Sequence, residues 1–96
     1  MTDPDVAFRA GPQVRVNFGV LTGRAVTNAE IDDLARELHP RLPQFSILSE
    51  DRHEFSDRLE TSVHQVVIEA DGLDDGIVEI AYRWAQACFA SRHVDY

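Results

Sequence analysis

The sequence predicts a single α+β domain in which two helices cover one face of a small sheet. Three observations indicate this fold class: an alternating apolar segment over residues 13–20, a well-marked helix start at Thr27, and an amphipathic pattern from about residue 74. The chain has 96 residues, of which 44% are apolar, enough to close one modest core. We therefore expect a flexible arm over residues 1–12, one domain over residues 13–92 and a tail over residues 93–96.

The first predicted element is a strand with one buried face. Val14, Val16, Phe18 and Val20 alternate with other residues, which is the two-residue period of a strand. The residues before this segment include Asp-Pro and Gly-Pro pairs and show no sustained period. They predict a mobile arm.

A helix is predicted to begin directly after Thr27. Thr27 and Glu30 have the spacing of a capping box, in which each side chain accepts a hydrogen bond from the other residue's backbone. Leu34 and Leu38 follow at helical spacing, and Pro40 ends the element.

Two more strands and a second helix complete the predicted fold. The strands are expected over about residues 44–50 and 62–70, and the polar stretch 49–58 is interpreted as a long hairpin or a loop. Tyr82 falls outside the apolar stripe of the last helix and is expected to be exposed. That stripe consists of Ile77, Ile80, Ala81, Trp84, Ala85 and Cys88.

The element order β-α-β-β-α predicts a three-stranded sheet with both helices on one face. A right-handed crossover between the first two strands leaves room for the third strand between them. This is a truncated ferredoxin-like two-layer sandwich, proposed by analogy of topology. The first strand would then lie at an open edge, with backbone groups free to pair with another subunit.

Charge and composition exclude several classes of function. The chain has nine arginines, no lysine and 17 carboxylates, for a net charge of -8. We therefore expect no nucleic-acid binding, and a P-loop or Schiff-base lysine is impossible. The single cysteine, Cys88, allows no internal disulfide and favours a cytoplasmic location. No signal-peptide pattern and no long apolar stretch is present, so we expect no membrane association.

The glycine-containing segment 19–24 precedes a helix, where phosphate groups often bind. Thr27 and Glu30 already place oxygen atoms and negative charge beside the same amides. We therefore interpret the segment as an ordinary strand-to-helix turn and predict no cofactor.

Two histidines are the candidates for chemistry. If the hairpin folds about Arg58 and Leu59, His53 and His64 stand nearly opposite each other with Glu54 nearby. Such a group could hold a metal, but the spacing matches no known metal motif, and no metal site is predicted. A general base at His64, oriented by a carboxylate of the 52–57 loop, is the enzymatic alternative.

The sequence favours a protein-interaction or homo-oligomerisation module, either a homodimer or an acidic surface for a basic protein. The alternative is a small dimeric ferredoxin-like enzyme or ligand-binding domain that uses His64 with the 52–57 loop. The homodimer is expected to pair through the edge of the first strand or the uncovered sheet face. The candidate interface residues on that face are Arg15, Asn17, Val63, Gln65 and Val67.

Overall fold

A computed structural model describes residues 6–57 and 59–91 of the chain. It has the α+β composition that the sequence predicts, with one antiparallel sheet and three helices. The elements are β1 (Ala7–Ala10), β2 (Gln13–Val16), α1 (Phe18–Thr22), α2 (Asn28–Leu38), β3 (Ser46–Ser56), β4 (Leu59–Glu69) and α3 (Asp75–Ser91).

The sheet has four strands in the order β1-β2-β4-β3, so the prediction of three strands is wrong. The additional strand, β1, lies in the segment predicted as an arm, and it pairs with β2 from Ala7↔Val16 to Ala10↔Gln13. The open edge expected on the strand over 13–20 is therefore occupied within the same chain. β4 lies between β2 and β3, while the truncated ferredoxin-like order stays a prediction.

The predicted first strand ends at Val16 because the chain turns into α1. Phe18 is fully buried, and its ring lies 5.4 Å from that of Trp84. Gly23 ends α1 with φ 74°, a left-handed conformation that glycine adopts at little cost. Val20, which the alternation places in the core, is instead 71% exposed on α1.

The start of α2 confirms the predicted capping box. The Thr27 hydroxyl accepts a hydrogen bond from the Glu30 backbone N–H at 3.2 Å, and the Glu30 carboxylate accepts one from the Thr27 N–H at 2.9 Å. Leu34 and Leu38 of this helix are buried. The capping box therefore predicted the start of α2, and the periodicity predicted its inner face.

The core lies between α3, α2 and one face of the sheet. All six residues of the predicted α3 stripe are buried in it. Tyr82, expected to be exposed, is instead partly buried against this cluster. The sheet contributes Val14, Val16, Val66 and Ile68, which alternation along β2 and β4 directs to the same side.

β3 and β4 form a hairpin much longer than the strands beside it. The two strands pair from Ser46↔Glu69 to Ser56↔Leu59, whereas β2 pairs only with residues 66–69 of β4. Residues 50–56 and 59–65, here called the distal hairpin, therefore extend beyond β2. The polar stretch 49–58 thus belongs mainly to a hairpin, the first of the two structures expected for it.

Candidate functional site

The sheet face turned away from the helices, here called the open face, carries a hydrogen-bonded polar network. Arg15 Nη1 donates to Glu50 Oε1 at 3.2 Å and to Gln65 Oε1 at 3.0 Å, and its Nη2 donates to Gln13 Oε1 at 2.9 Å. Gln13 Nε2 in turn donates to Glu69 Oε2 at 2.7 Å. The network joins β2, β3 and β4 across the face.

Gln65 connects this network to the end of β2. Its Nε2 donates to Asn17 Oδ1 at 2.7 Å, and its side chain is almost fully buried. Val67, beside it on the same face, is fully buried although it lies opposite the core. The polar side chains of this network therefore find partners within the chain and need no second molecule to satisfy them.

The predicted interface residues come together only in part. Arg15, Gln65 and Val67 share the open face, and Asn17 joins them through Gln65. The side chain of Val63 lies outside the described part of the chain. Their role in an interface stays a prediction.

His64 contacts a carboxylate that sequence reasoning did not choose. Ser56 pairs with Leu59, so the hairpin is centred one residue earlier than predicted, and His64 lies opposite Asp51 while His53 lies opposite Ser62. The His64 Nδ1 contacts Asp51 Oδ1. The predicted opposition of the two histidines is therefore wrong, and the Glu54 side chain is outside the described part of the chain.

The backbone of α1 lies directly against His64. A Cβ added to Gly19 would stand 2.9 Å from the His64 backbone nitrogen and 3.0 Å from its Cβ. Glycine is therefore required for this close approach of helix and strand. Over residues 6–57 and 59–91, no three His, Cys, Asp or Glu side chains form a group that could hold a metal ion.

The interpretation of residues 19–24 as a turn is wrong for residues 19–22, which belong to α1, and only Gly23 and Arg24 form the turn that leads to an ion pair at the start of α2. Arg24 donates to both oxygens of Glu30, at 2.8 and 2.6 Å. This hydrogen bonding, with further bonds from Thr27, lowers the pKa of Glu30 to about 2. Glu30 and Arg24 are thus engaged with each other, which agrees with a structural role for this turn.

A groove of about 630 Å³ runs between α2 and α3. Trp84 and Cys88 contribute to its lining, and Trp84 Nε1 donates to the Glu30 carbonyl at 2.8 Å. Burial raises the pKa of the Cys88 thiol to about 12, so Cys88 is not a nucleophile at neutral pH. The remaining lining residues are Glu30, Asp33, Arg36, Glu37, Arg83 and Ala87.

The outer margin of β3, here called the β3 edge, is the longest unpaired strand edge of the described sheet. β3 is a terminal strand of 11 residues, whereas β1, at the other end, has four. Only two residues separate the paired Ser56 and Leu59, and Asp57 has φ 55°, the positive value that two-residue hairpin turns require at their first central position. Sequence reasoning missed this edge because the polar stretch 49–58 shows no apolar alternation.

The turn determines which backbone groups face outward. The pair flanking a two-residue turn is hydrogen-bonded, and bonded and non-bonded pairs then alternate along the hairpin. The β1–β2 hairpin also has two residues between its flanking pair, and its hydrogen-bond pattern extends to Asn17, whose N–H donates to the Val6 carbonyl at 2.8 Å. Odd-numbered residues of β3, from Ile47 to Phe55, therefore direct their N–H and C=O groups outward.

Large apolar side chains are exposed on both sides of this hairpin. Phe55 is 74% exposed on the helix side, and Leu59 is 72% exposed on the side of the open face. Leu48, also on the open face, is 40% exposed. A two-stranded hairpin alone is marginally stable in water, so additional packing would stabilise its distal part.

Comparison with known proteins found no matching family model, no similar curated protein and no similar solved structure. None of the helices in the described part of the chain combines the length and apolar character needed to cross a bilayer.

Proposed function

We propose that this chain is a protein-association module that binds an extended strand of another polypeptide along the β3 edge. The observation that carries the proposal is an 11-residue terminal strand with Phe55 exposed at its distal end and Leu59 exposed beside it on β4. Edge strands of this length present backbone donors and acceptors in register, and proteins use them to add a strand from a partner.

A bound strand would contact mainly the β3 edge and not the open face. Arg15 and Gln65 already have hydrogen-bond partners in the chain, so covering them would add little binding energy. Leu48 and Glu50 are residues of β3 whose side chains lie on the open face. A strand bound at the β3 edge would therefore lie beside these two residues, whereas Arg15, Gln65 and Val67 lie further from the edge on β2 and β4. A basic partner would suit the net charge of -8.

The experiment blocks the edge without disturbing the hairpin. Ser49 is an odd-numbered, exposed residue of β3, so its N–H faces outward and proline can replace it. Ser49→Thr is the matched control, because it keeps the N–H and favours a strand. A photo-reactive benzoylphenylalanine in place of Phe55 reports any polypeptide bound beside it.

We expect irradiation of the protein in its native cells to link position 55 to a partner chain. The product should disappear with Ser49→Pro and persist with Ser49→Thr, while both variants keep the circular dichroism of the parent. No product, or a product that Ser49→Pro leaves unchanged, would overturn the proposed use of the β3 edge.

A second candidate function uses the contact between Asp51 and His64. A carboxylate that orients an imidazole is the arrangement of a general base, and it would suit a small ferredoxin-like enzyme or ligand-binding domain. A metabolite that raises the melting temperature of the parent but not of His64→Ala would favour this candidate. Equal shifts in both proteins would count against it.

A further inference from the structure

We propose that the partner at the β3 edge is a second copy of this chain, paired antiparallel about a two-fold axis at Asp51. This inference rests on the proposed function and names its partner. Two copies of β3 paired in this way would join two four-stranded sheets into one sheet of eight strands. A two-fold arrangement of this kind stops at two copies, because both β3 edges are used, and the short β1 then forms each end of the joined sheet.

Symmetry restricts the possible registers. A two-fold axis that makes two edge strands antiparallel stands perpendicular to the sheet, so the helix side of one copy stays on the helix side of the other. Paired residues must then lie on the same face of β3. Full overlap of the strand, with Ser46 opposite Ser56, places Asp51 opposite its own copy.

The fully overlapped register also pairs the apolar residues of the edge. It places Phe55 of each copy opposite Ile47 of the other, on the helix side, where Ile47 already packs against the core. The nearest registers of the same symmetry move Phe55 opposite Ser49 or beyond the end of β3. Because Phe55 is 74% exposed in the single chain, its burial on Ile47 favours the full overlap.

Asp51 opposes this register, because two carboxylates would face each other at the axis. Its carboxylate contacts His64 on the neighbouring β4, which supplies a partner away from the axis. We therefore expect Asp51→Asn to tighten the dimer by about two- to fivefold. The carboxylate limits the affinity and does not prevent association.

The size of the edge predicts a weak dimer. An edge of 11 residues is about 37 Å long and about 10 Å thick. Its area of about 370 Å² is roughly half of the ~800 Å² that each partner buries in a standard interface. Dimerisation should then depend on concentration in the micromolar range, where sedimentation equilibrium measures it.

Single cysteines along β3 test the axis directly. In the proposed register residue 51 meets its own copy with Cα atoms about 5.5 Å apart, which a disulfide can span. Residues 49 and 53 meet each other, and each lies about 14 Å from its own copy. Asp51→Cys, Ser49→Cys and His53→Cys are compared under mild oxidation, with the parent as control because its Cys88 is buried.

We expect Asp51→Cys to form disulfide dimers at least about tenfold faster than either other variant, because only position 51 meets its copy within disulfide reach. A mixture of Ser49→Cys and His53→Cys should give the mixed dimer. Equal rates for the three variants, or a faster reaction at 49 or 53 alone, would overturn the axis at Asp51. Cross-linking of position 55 to a different protein, without an Asp51→Cys dimer, would overturn the homodimer and leave the proposed function standing.

Discussion

At the scale of single residues, Glu30 connects three parts of the molecule. Its carboxylate accepts hydrogen bonds from Arg24 and from the backbone and hydroxyl of Thr27. Its carbonyl accepts from Trp84 Nε1 on α3. The Arg24 guanidinium also lies over the Phe18 ring, 5.4 Å from its centre. The start of α2, the end of α1 and the middle of α3 are therefore held at one point.

The ionised form of Glu30 should make stability depend on pH. Its pKa falls from 4.5 to about 2 on folding, so the stabilisation is fully present above pH ~4.5 and is lost as the pH falls through about 2. Glu30 is largely buried, with 15% of its side chain exposed, and the shift corresponds to at most about 3 kcal/mol. Glu30→Gln keeps the capping geometry and removes the titration. Urea unfolding at pH 6, 4 and 2.5 should show the parent losing up to about 3 kcal/mol more than this variant; parallel losses would contradict the assignment.

The same residues show which side-chain contacts could be predicted from the sequence. Thr27 and Glu30 were recognised because a capping box joins residues three positions apart. The contact between Arg24 and Glu30 depends on the turn after α1, and the contact between Glu30 and Trp84 joins residues far apart in the chain. The carboxylate that His64 contacts could not be predicted, because it depends on a register that the turn at Asp57 determines.

At the scale of elements, the close contact between α1 and β4 depends on Gly19. A methyl group there would meet the His64 backbone at 2.9 Å, and backbone atoms cannot move aside easily. Gly76 of α3 is a contrasting case, because a methyl group there would meet the end of the Arg41 side chain at 2.6 Å. A flexible guanidinium can move away, so the two helical glycines should respond differently to alanine.

We predict that Gly19→Ala lowers the free energy of unfolding by about 1–3 kcal/mol, as overpacking usually does. Gly76→Ala should be neutral or should stabilise the protein by up to about 1 kcal/mol, because alanine favours the helix. The fluorescence of Trp84, the single tryptophan, reports unfolding of both variants in urea. Equal stabilities would show that α1 moves away from His64 at little cost.

The elements that the sequence predicts well are those with a buried stripe. α2 and α3 repeat apolar residues at helical spacing, and Val14 and Val16 alternate as expected. β1 was missed because four residues are too few for a clear period. The sequence fits both a hairpin and a loop in the distal hairpin, because its strands extend past β2, where burial no longer requires apolar residues.

At the scale of the whole molecule, the proposed site lies mostly away from the core, which it meets at Ile47. α3 packs on β1 and β2 at one edge of the sheet, whereas β3 and the distal hairpin lie at the opposite edge. The proposed site is the outer edge of β3. Such an edge can be identified only when the strand order and the register of the sheet are known. The edge that the sequence pattern indicates, on the strand over 13–20, is occupied by β1, and the pattern could not identify the β3 edge proposed above.

Salt should distinguish a second copy from a basic partner. Each chain carries a net charge of -8, so two copies repel each other, and added salt screens that repulsion. We expect the dimer measured by sedimentation equilibrium to tighten several-fold between 20 and 300 mM NaCl, because the Debye length falls from roughly 20 Å to below 8 Å. Asp51→Asn should reduce this salt dependence, since it removes the two carboxylates nearest the axis. A complex with a basic protein would weaken over the same range, so a partner that dissociates as salt is added would contradict the homodimer.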